Sequence, residues 1–401
     1  MLLLKFILFL ALLSKFECFI PAKLMERAIS VADEVITLTK ASDSLTHEAI
    51  IRKGISQAVV RYFYDRSVEE GQPDKINLTR IDSDYYELTN LYYDYYGIWF
   101  CKIHLEEVID KEFEKSVSSV DFNKLTKDLP YAHFDAETFQ KSNDRVIEFT
   151  NNIYAQLSAK NYKQARKLAG EVLHTIHDFY SHSNWVEMGR TDINKNIGQP
   201  GMNGQTIASK NDSIACSSNC TQVNINCNFA LRVFVLFLKT VGFRSSAVKC
   251  PIRYFICRTN TLIKDKLISG YYSNQKLPDG SAFDKPTNLI KCSHGGIMDD
   301  SSFRPAIGGI NKDSGFYMFS PHAFLHLKAA DLAIKHTAYY FNEIRAKIGN
   351  QEFANFLKLD EMPNIIGKRV IETMQICSGC LIKSNLINLF IFLIISILFN
   401  I

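Results

Sequence analysis

Nothing in the chain marks a nucleic-acid binder. Its 401 residues carry 46 Lys and Arg against 42 Asp and Glu, a net charge of +4, and the basic residues form no run. A polyanion groove needs clustered cations, so that class is set aside. Tryptophan occurs twice, at Trp99 and Trp185. No internal repeat or low-complexity tract is present, which argues against solenoids and long linkers. No clear period-two run suggests strands as the scaffold. What remains is 47% hydrophobic and 22% charged residues, enough for one large domain or two ordinary ones.

The two ends differ from the middle. One Lys precedes the apolar run at Ile7–Leu13, the layout of a secretory signal peptide, expected over residues 1–20 with cleavage around Cys18 to Ala22. Residues 377–401 finish in an apolar run, Leu386–Ile401, behind Ser378, Gly379 and a short polar spacer. That layout resembles a lipid-anchor signal; a short membrane helix and a misread chain end are the other readings. Six of the 10 cysteines lie between Cys216 and Cys292. In a secreted chain that density implies disulfides, with the pairing left open. Sequons at Asn77, Asn211 and Asn219 fit a glycosylated surface. The expected location is extracellular, secreted or anchored at the cell surface.

Helical spacing of apolar residues recurs over 23–40, 44–64, 101–118, 137–157, 161–180 and 321–348, the last opening at Ser320-Pro321. The fold class expected is mainly α, a domain over 21–376. Residues 189–320, rich in Gly, Asn, Ser, Cys and Pro, read as a loop-rich, disulfide-stapled insertion. Within it, 229–241 is apolar but too short to span a bilayer. With the stretch up to Arg258 it fits its surroundings poorly, and a retained intron is one reading.

Chemistry concentrates at GEVLHTIHDFYSHSNWVE (170–187), where His174, His177, Asp178 and His182 fall within nine residues. His174, Asp178 and His182 follow each other at i, i+4, so a helix stacks them on one face. Zinc takes imidazole nitrogen and carboxylate oxygen, and two donors one turn apart chelate one ion. His322 and His326 have the same spacing. His47 opens a helix, and His133 is followed by Asp135. Facing helices of a bundle build metal sites from clusters placed this way. A lone histidine on an apolar face is more often an ordinary buried side chain, and His104, His177, His294 and His336 read so.

The order of these motifs is similar to bacterial zinc-dependent phospholipase C. NYKQARKLAGEVLHTIHD (161–178) resembles that family's His-x3-Asp helix, LTHEAIIRKGI its early Thr-His helix, and His133-Phe134-Asp135 its His-Phe-Trp-Asp stretch. A closer resemblance covers most of 23–376. THEAI, AHFDAETF, LHTIHDFYSHSNWVEMG, SGYYS, KCSHGG, GINKDS and SPHAFLHLKAADLA look like the Het-C family, which includes N-terminal regions of animal proteins that also carry a von Willebrand factor A domain. The resemblance implies a phospholipase C/nuclease-like helical bundle. It implies one to three zinc ions held by His47, His133, Asp135, His174, Asp178, His182, His322 and His326, with Asp121 as an upstream carboxylate. The family's N-terminal Trp ligand has no counterpart, and His326 stands where the phospholipases have Glu.

Two functions follow. One is a zinc-dependent phosphoester hydrolase acting on membrane phospholipids, with Glu48 and Glu187 as acid/base candidates. The other is a non-catalytic extracellular protein in which metal staples the fold. Phe179, Tyr180 and Trp185 are expected to pack the helix or line a cleft. A lipid-binding or pore-forming role has no specific motif behind it.

Overall fold

The computed structural model describes residues 44–78, 87–97, 103–208, 215–217, 219–227, 249–273, 275–283, 290–297 and 306–359, with isolated positions between. The expected signal segment, the helix over 23–40 and the apolar end at 377–401 lie outside the described residues. The architecture is mainly helical with small strand pairs. Helices are α1 (His47–Glu69), α2 (Leu88–Tyr96), α3 (His104–Val108), α4 (Glu114–Phe122), α5 (Phe139–Ser158), α6 (Tyr162–His182), α7 (His326–Ile348) and α8 (Asn350–Leu357). A π turn, Ile109–Phe113, joins α3 to α4.

The chain divides into two compact units. The first comprises residues up to Ile55 and Lys111–Phe341; the second comprises Ser56–Asp110 and the residues from Asn342. Its own aromatic core holds the second unit together: Phe63 meets Tyr92 at 5.2 Å and Tyr95 at 4.6 Å, and Tyr62 meets Phe353.

The first unit is built around α6, which packs against α4 and α5. Ala, Leu and Lys favour its helix, and Ala165, Ala169, Val172, Leu173 and Ile176 bury one broad face. Gly170 lets α4 come close: a Cβ there would meet Ser116 Cβ at 2.6 Å. Phe179 packs edge-on to Phe134 and Phe139 and tilts against Trp185, so these aromatics form core rather than a cleft wall.

Strands do occur in the expected loop region. β1 (Cys220–Ile225) and β2 (Ile252–Cys257) pair antiparallel, with Cys220 opposite Cys257. Their alternation is hard to see in the sequence because the ribbon buries little of either face. β3 (Lys291–Cys292) and β4 (Ala306–Ile307) pair in parallel. Disulfides Cys216–Cys292, Cys220–Cys257 and Cys227–Cys250 nest one inside the next. Loop-closure entropy makes each worth on the order of 3 to 4 kcal/mol. β2 comes from the end of the ill-fitting 229–258 stretch, and its cysteine is engaged. The helix expected from 321 starts later: Ala323–Leu325 is a 3-10 turn and α7 begins at His326.

Candidate metal centre

His174, Asp178 and His182 stand one turn apart along the last half of α6, all buried. Asp178 sits at the middle of a ring of imidazoles. Its Oδ1 lies 3.2 Å from His47 Nε2; its Oδ2 lies 2.8 Å from His133 Nδ1 and 3.0 Å from His174 Nε2. Asp121, at the end of α4, reaches within 3.4 Å of His174 Nε2.

Hydrogen-bond partners fix which nitrogen of each ring carries a proton. His174 Nδ1 donates to Val117 O at 2.8 Å, so Nε2 presents a lone pair. His133 Nε2 donates to Thr126 O at 3.2 Å, leaving Nδ1 bare. Thr337 donates its hydroxyl to Ala333 O, so His177 Nε2 donates to Thr337 Oγ1 and its Nδ1 accepts from His47 Nδ1 at 3.1 Å. His47 Nε2 is thereby left bare toward Asp178. Three imidazole lone pairs and a carboxylate converge, a set of acceptors without hydrogens.

The segment after His133 divides the ligands between two groups. Phe134, Ala136 and Glu137 all have left-handed φ, at 52°, 52° and 57°. Such conformations cost about 1 kcal/mol or more each in non-glycine residues and persist where the surroundings enforce them. Here the backbone is pinned: Asp135 N–H donates to Pro130 O, Ala136 N–H to Gly270 O and Glu137 N–H to Ser269 Oγ. The Glu137 carboxylate is held by buried Lys291 at 2.8 Å. The turn sends His133 to Asp178 and Asp135 to His182.

The second group is built on His182. Its Nδ1 donates to His133 O at 2.9 Å, with Asp135 Oδ1 at 3.2 Å, so Nε2 is bare. His294 Nδ1 lies between Gly295 O at 3.1 Å and the Asn311 amide nitrogen at 3.2 Å, and its Nε2 points at the carboxylate of Asp313. The Nε2 atoms of His182 and His294 lie 3.1 Å apart. Asp313 spans them, with Oδ1 3.0 Å from His182 Nε2 and Oδ2 3.3 Å from His294 Nε2. Asp135 takes a hydrogen bond from Gln275 on Oδ2, while its buried Oδ1 has no hydrogen-bond donor.

The electrostatics favour positive charge at both groups: without an ion the raised histidines carry it as protons on the nitrogens facing the carboxylates, and a bound cation would take the place of those protons. Burial lowers the His47 imidazole, but Asp178 outweighs it and lifts the ring to about 9. His133 and His182 are raised by the same opposition of burial and nearby carboxylates. Burial pushes the Asp178 carboxyl up, yet His174, His182 and His47 hold it well below the usual range. His177, lowered by burial and by His47, stays neutral and serves as an acceptor.

The donor set fits a metal. Tetrahedral zinc with bonds near 2.0–2.1 Å places its ligand atoms roughly 3.3 Å apart. The nitrogen and oxygen atoms here stand 2.8–3.4 Å apart. His47, Asp121 and His174, then His133, His174 and Asp178, then Asp135, His182 and His294 each bring one ligand atom within 4.8 Å of the others.

His322 and His326 are not brought into these groups. His322 precedes α7; its Nε2 donates to Asn260 Oδ1 at 2.7 Å and its Nδ1 lies 2.5 Å from Glu187 Oε1. His326 donates from Nδ1 to Lys312 O and accepts the Leu45 N–H on Nε2, so both nitrogens are engaged. Glu187 is tied to Lys312 at 2.8 Å and to His322, and Ser118 donates to Glu48. His177 supports His47, and His336 accepts from Tyr180 at 2.7 Å. His104 belongs to the second unit. Sequence spacing missed His294 and Asp313, which come from irregular segments. KCSHGG and GINKDS were the available signals, since both carry them.

The profile of the VWA7 N-terminal domain matches this chain over residues 87–253 and 244–354, more than half its length. The chain belongs to the VWA7 N-terminal domain family. The match takes in Asp121, His133, Asp135, His174, Asp178, His182, His294 and Asp313, while His47 precedes it. Mouse von Willebrand factor A domain-containing protein 7 is 27% identical over 323 residues, 80% of this chain and 31% of that protein. The human protein of the same name is 31% identical over 248 residues, 62% of this chain and 23% of that protein. The rat protein is 28% identical over 328 residues, again 80% and 31%. The chain thus spans a third or less of the length of these relatives. No solved structure matches.

Proposed function

We propose that this VWA7-type N-terminal domain is a zinc-dependent phosphoester hydrolase of the Het-C and phospholipase C kind, acting outside the cell. The observation that carries the metal reading is the convergence of histidine nitrogens on Asp178 and on Asp313. His47, Asp121, His133, His174 and Asp178 would hold one or two ions; His182, His294, Asp313 and Asp135 would hold another. Imidazole with carboxylate suits zinc, and a bound ion would supply Lewis acidity toward a phosphoryl oxygen and a lowered pKa for water.

Openness favours hydrolysis over stapling. A structural site is closed by its ligands, whereas a catalytic one keeps a position free. Each group here combines buried or half-buried histidines with one carboxylate that reaches solvent: Asp121 is 30% exposed and Asp313 41%. Those carboxylates orient what enters, and the pinned 133–137 turn holds the ligands in register. The three disulfides fit an oxidising compartment. Of the sequons, Asn77 and Asn219 are exposed, as glycan acceptors must be, and Asn211 lies outside the described residues. Among the described residues no helix is long and apolar enough to cross a membrane.

The test is turnover of bis(p-nitrophenyl) phosphate and of phosphatidylcholine by the purified chain, with and without chelator. Chelator-sensitive turnover that returns with zinc supports the reading. A chain that binds zinc tightly, is destabilised by its removal and turns over neither substrate is a stapled scaffold instead.

A further inference from the structure

The Lys and Arg residues form no run, but the acids are unevenly placed. Between Asp212 and Asp265 the sequence contains no Asp or Glu and seven Lys and Arg. In a chain with 46 basic and 42 acidic residues, that window carries a local field of one sign. The β1–β2 ribbon lies inside it. Neither strand bears an acid, and the Cys220–Cys257 and Cys227–Cys250 bridges staple the ribbon twice.

The connection between the strands reads FALRVFVLFL over 229–238. Phe229 is 82% exposed and Leu236 62% exposed. Lys249 and Arg253, beside the inner bridge, are exposed too. Aliphatic side chains next to cations, with no acid among them, match a surface that is anionic outside and apolar within. Ten residues are too few to span a bilayer, which takes roughly 20. The exposed Phe229 and Leu236 suit insertion to interfacial depth, with Lys249 and Arg253 at the headgroups.

We propose that the stapled β1–β2 ribbon is a docking element for anionic lipid bilayers. This goes beyond the metal centre and does not depend on it. A nucleic acid is the less favoured occupant: Phe229 offers one stacking face, but Leu236 offers neither stacking nor hydrogen bonds, and poly(U) serves as the control.

The experiment is hydrogen exchange on the whole purified chain, so that binding by other segments is read separately. Vesicles are phosphatidylcholine alone, or phosphatidylcholine with roughly one-third phosphatidylserine. Exchange in peptides from 220–257 slows with the anionic vesicles, only weakly with the neutral ones, and the effect fades at high salt. Lys249→Gln with Arg253→Gln raises the lipid concentration needed by roughly thirtyfold, from about fivefold per cation. Phe229→Ser with Leu236→Ser abolishes the slowing, and metal content stays as in the unaltered chain. Unchanged exchange over 220–257 with anionic vesicles overturns the proposal, whether or not the chain binds them elsewhere. So does protection that survives both double variants, or protection given by poly(U) and not by lipid. Loss of metal with the lipid response intact sinks the metal centre alone.

Discussion

His133 Nδ1 and His174 Nε2 face each other at 3.1 Å, with their other ring nitrogens turned to Thr126 O and Val117 O. Asp178 Oδ2 completes the triangle. Asp178→Asn keeps the shape and removes the charge. Zinc chelation is expected to lower the melting temperature of the unaltered chain. At zinc a thousandfold above its dissociation constant, the linked stability is about 4 kcal/mol. In the Asn variant the drop on chelation is expected to shrink to the part that the His182 and His294 group contributes. Differential scanning calorimetry with and without chelator checks this.

Asp313 joins two buried histidines yet is itself exposed. Replacing it by Asn takes the compensating charge from His182 and His294, so metal-free stability near neutral pH should fall, by less than the about 3–5 kcal/mol of a fully buried pair because Asp313 is 41% exposed. Phosphodiester turnover is expected to fall by at least roughly a hundredfold, because Asp313 would hold an ion directly and the loss of even an outer metal partner costs about 10–100-fold. Kinetics and a chelated urea titration separate the two effects.

Lys312 is fully buried, donating to Ser183 O, Ile310 O and Glu187 Oε1. Lys312→Met leaves the Glu187 carboxylate buried without its cation. Removing one partner of a buried pair costs about 3–5 kcal/mol. Urea unfolding should show a loss of that size. A loss under 1 kcal/mol would mean that His322 alone suffices for Glu187.

Burial lowers the His336 imidazole to about 3, and its Nδ1 accepts the Tyr180 hydroxyl. The unfolded value is about 6.5. Between these values the unfolded chain takes a proton that the folded chain refuses. Stability from this group is therefore complete above pH 6.5 and falls as pH drops toward 3, by about 1.4 kcal/mol per pH unit. His336→Asn keeps an acceptor and removes the titration. The stability lost between pH 7 and pH 5 should shrink by about 2 kcal/mol in the variant.

The helices were legible because apolar spacing at 3.6 residues survives in the sequence of α5, α6 and α7. Within α6, i, i+4 spacing placed His174, Asp178 and His182 on one face without any tertiary information. His133 and Asp135 were legible as a pair, but not their division between two groups, which depends on left-handed residues 134, 136 and 137. His294 and Asp313 were not singled out because irregular segments impose no spacing; disulfides and a backbone network bring them to His182. His322 and His326 show the converse. Their spacing matched a chelating pair, but His322 falls outside α7 and both rings are occupied by Asn260, Glu187, Lys312 and Leu45.

The most direct test is the metal content of the purified chain by elemental mass spectrometry, beside His174→Ala with Asp178→Ala and, separately, His182→Ala with His294→Ala. The account predicts about two zinc ions per chain, or three if His47 and Asp178 hold a separate one. Each double variant loses the ions of its own group and keeps the other's. A folded chain with no bound metal, and with unchanged stability in both variants, would contradict it.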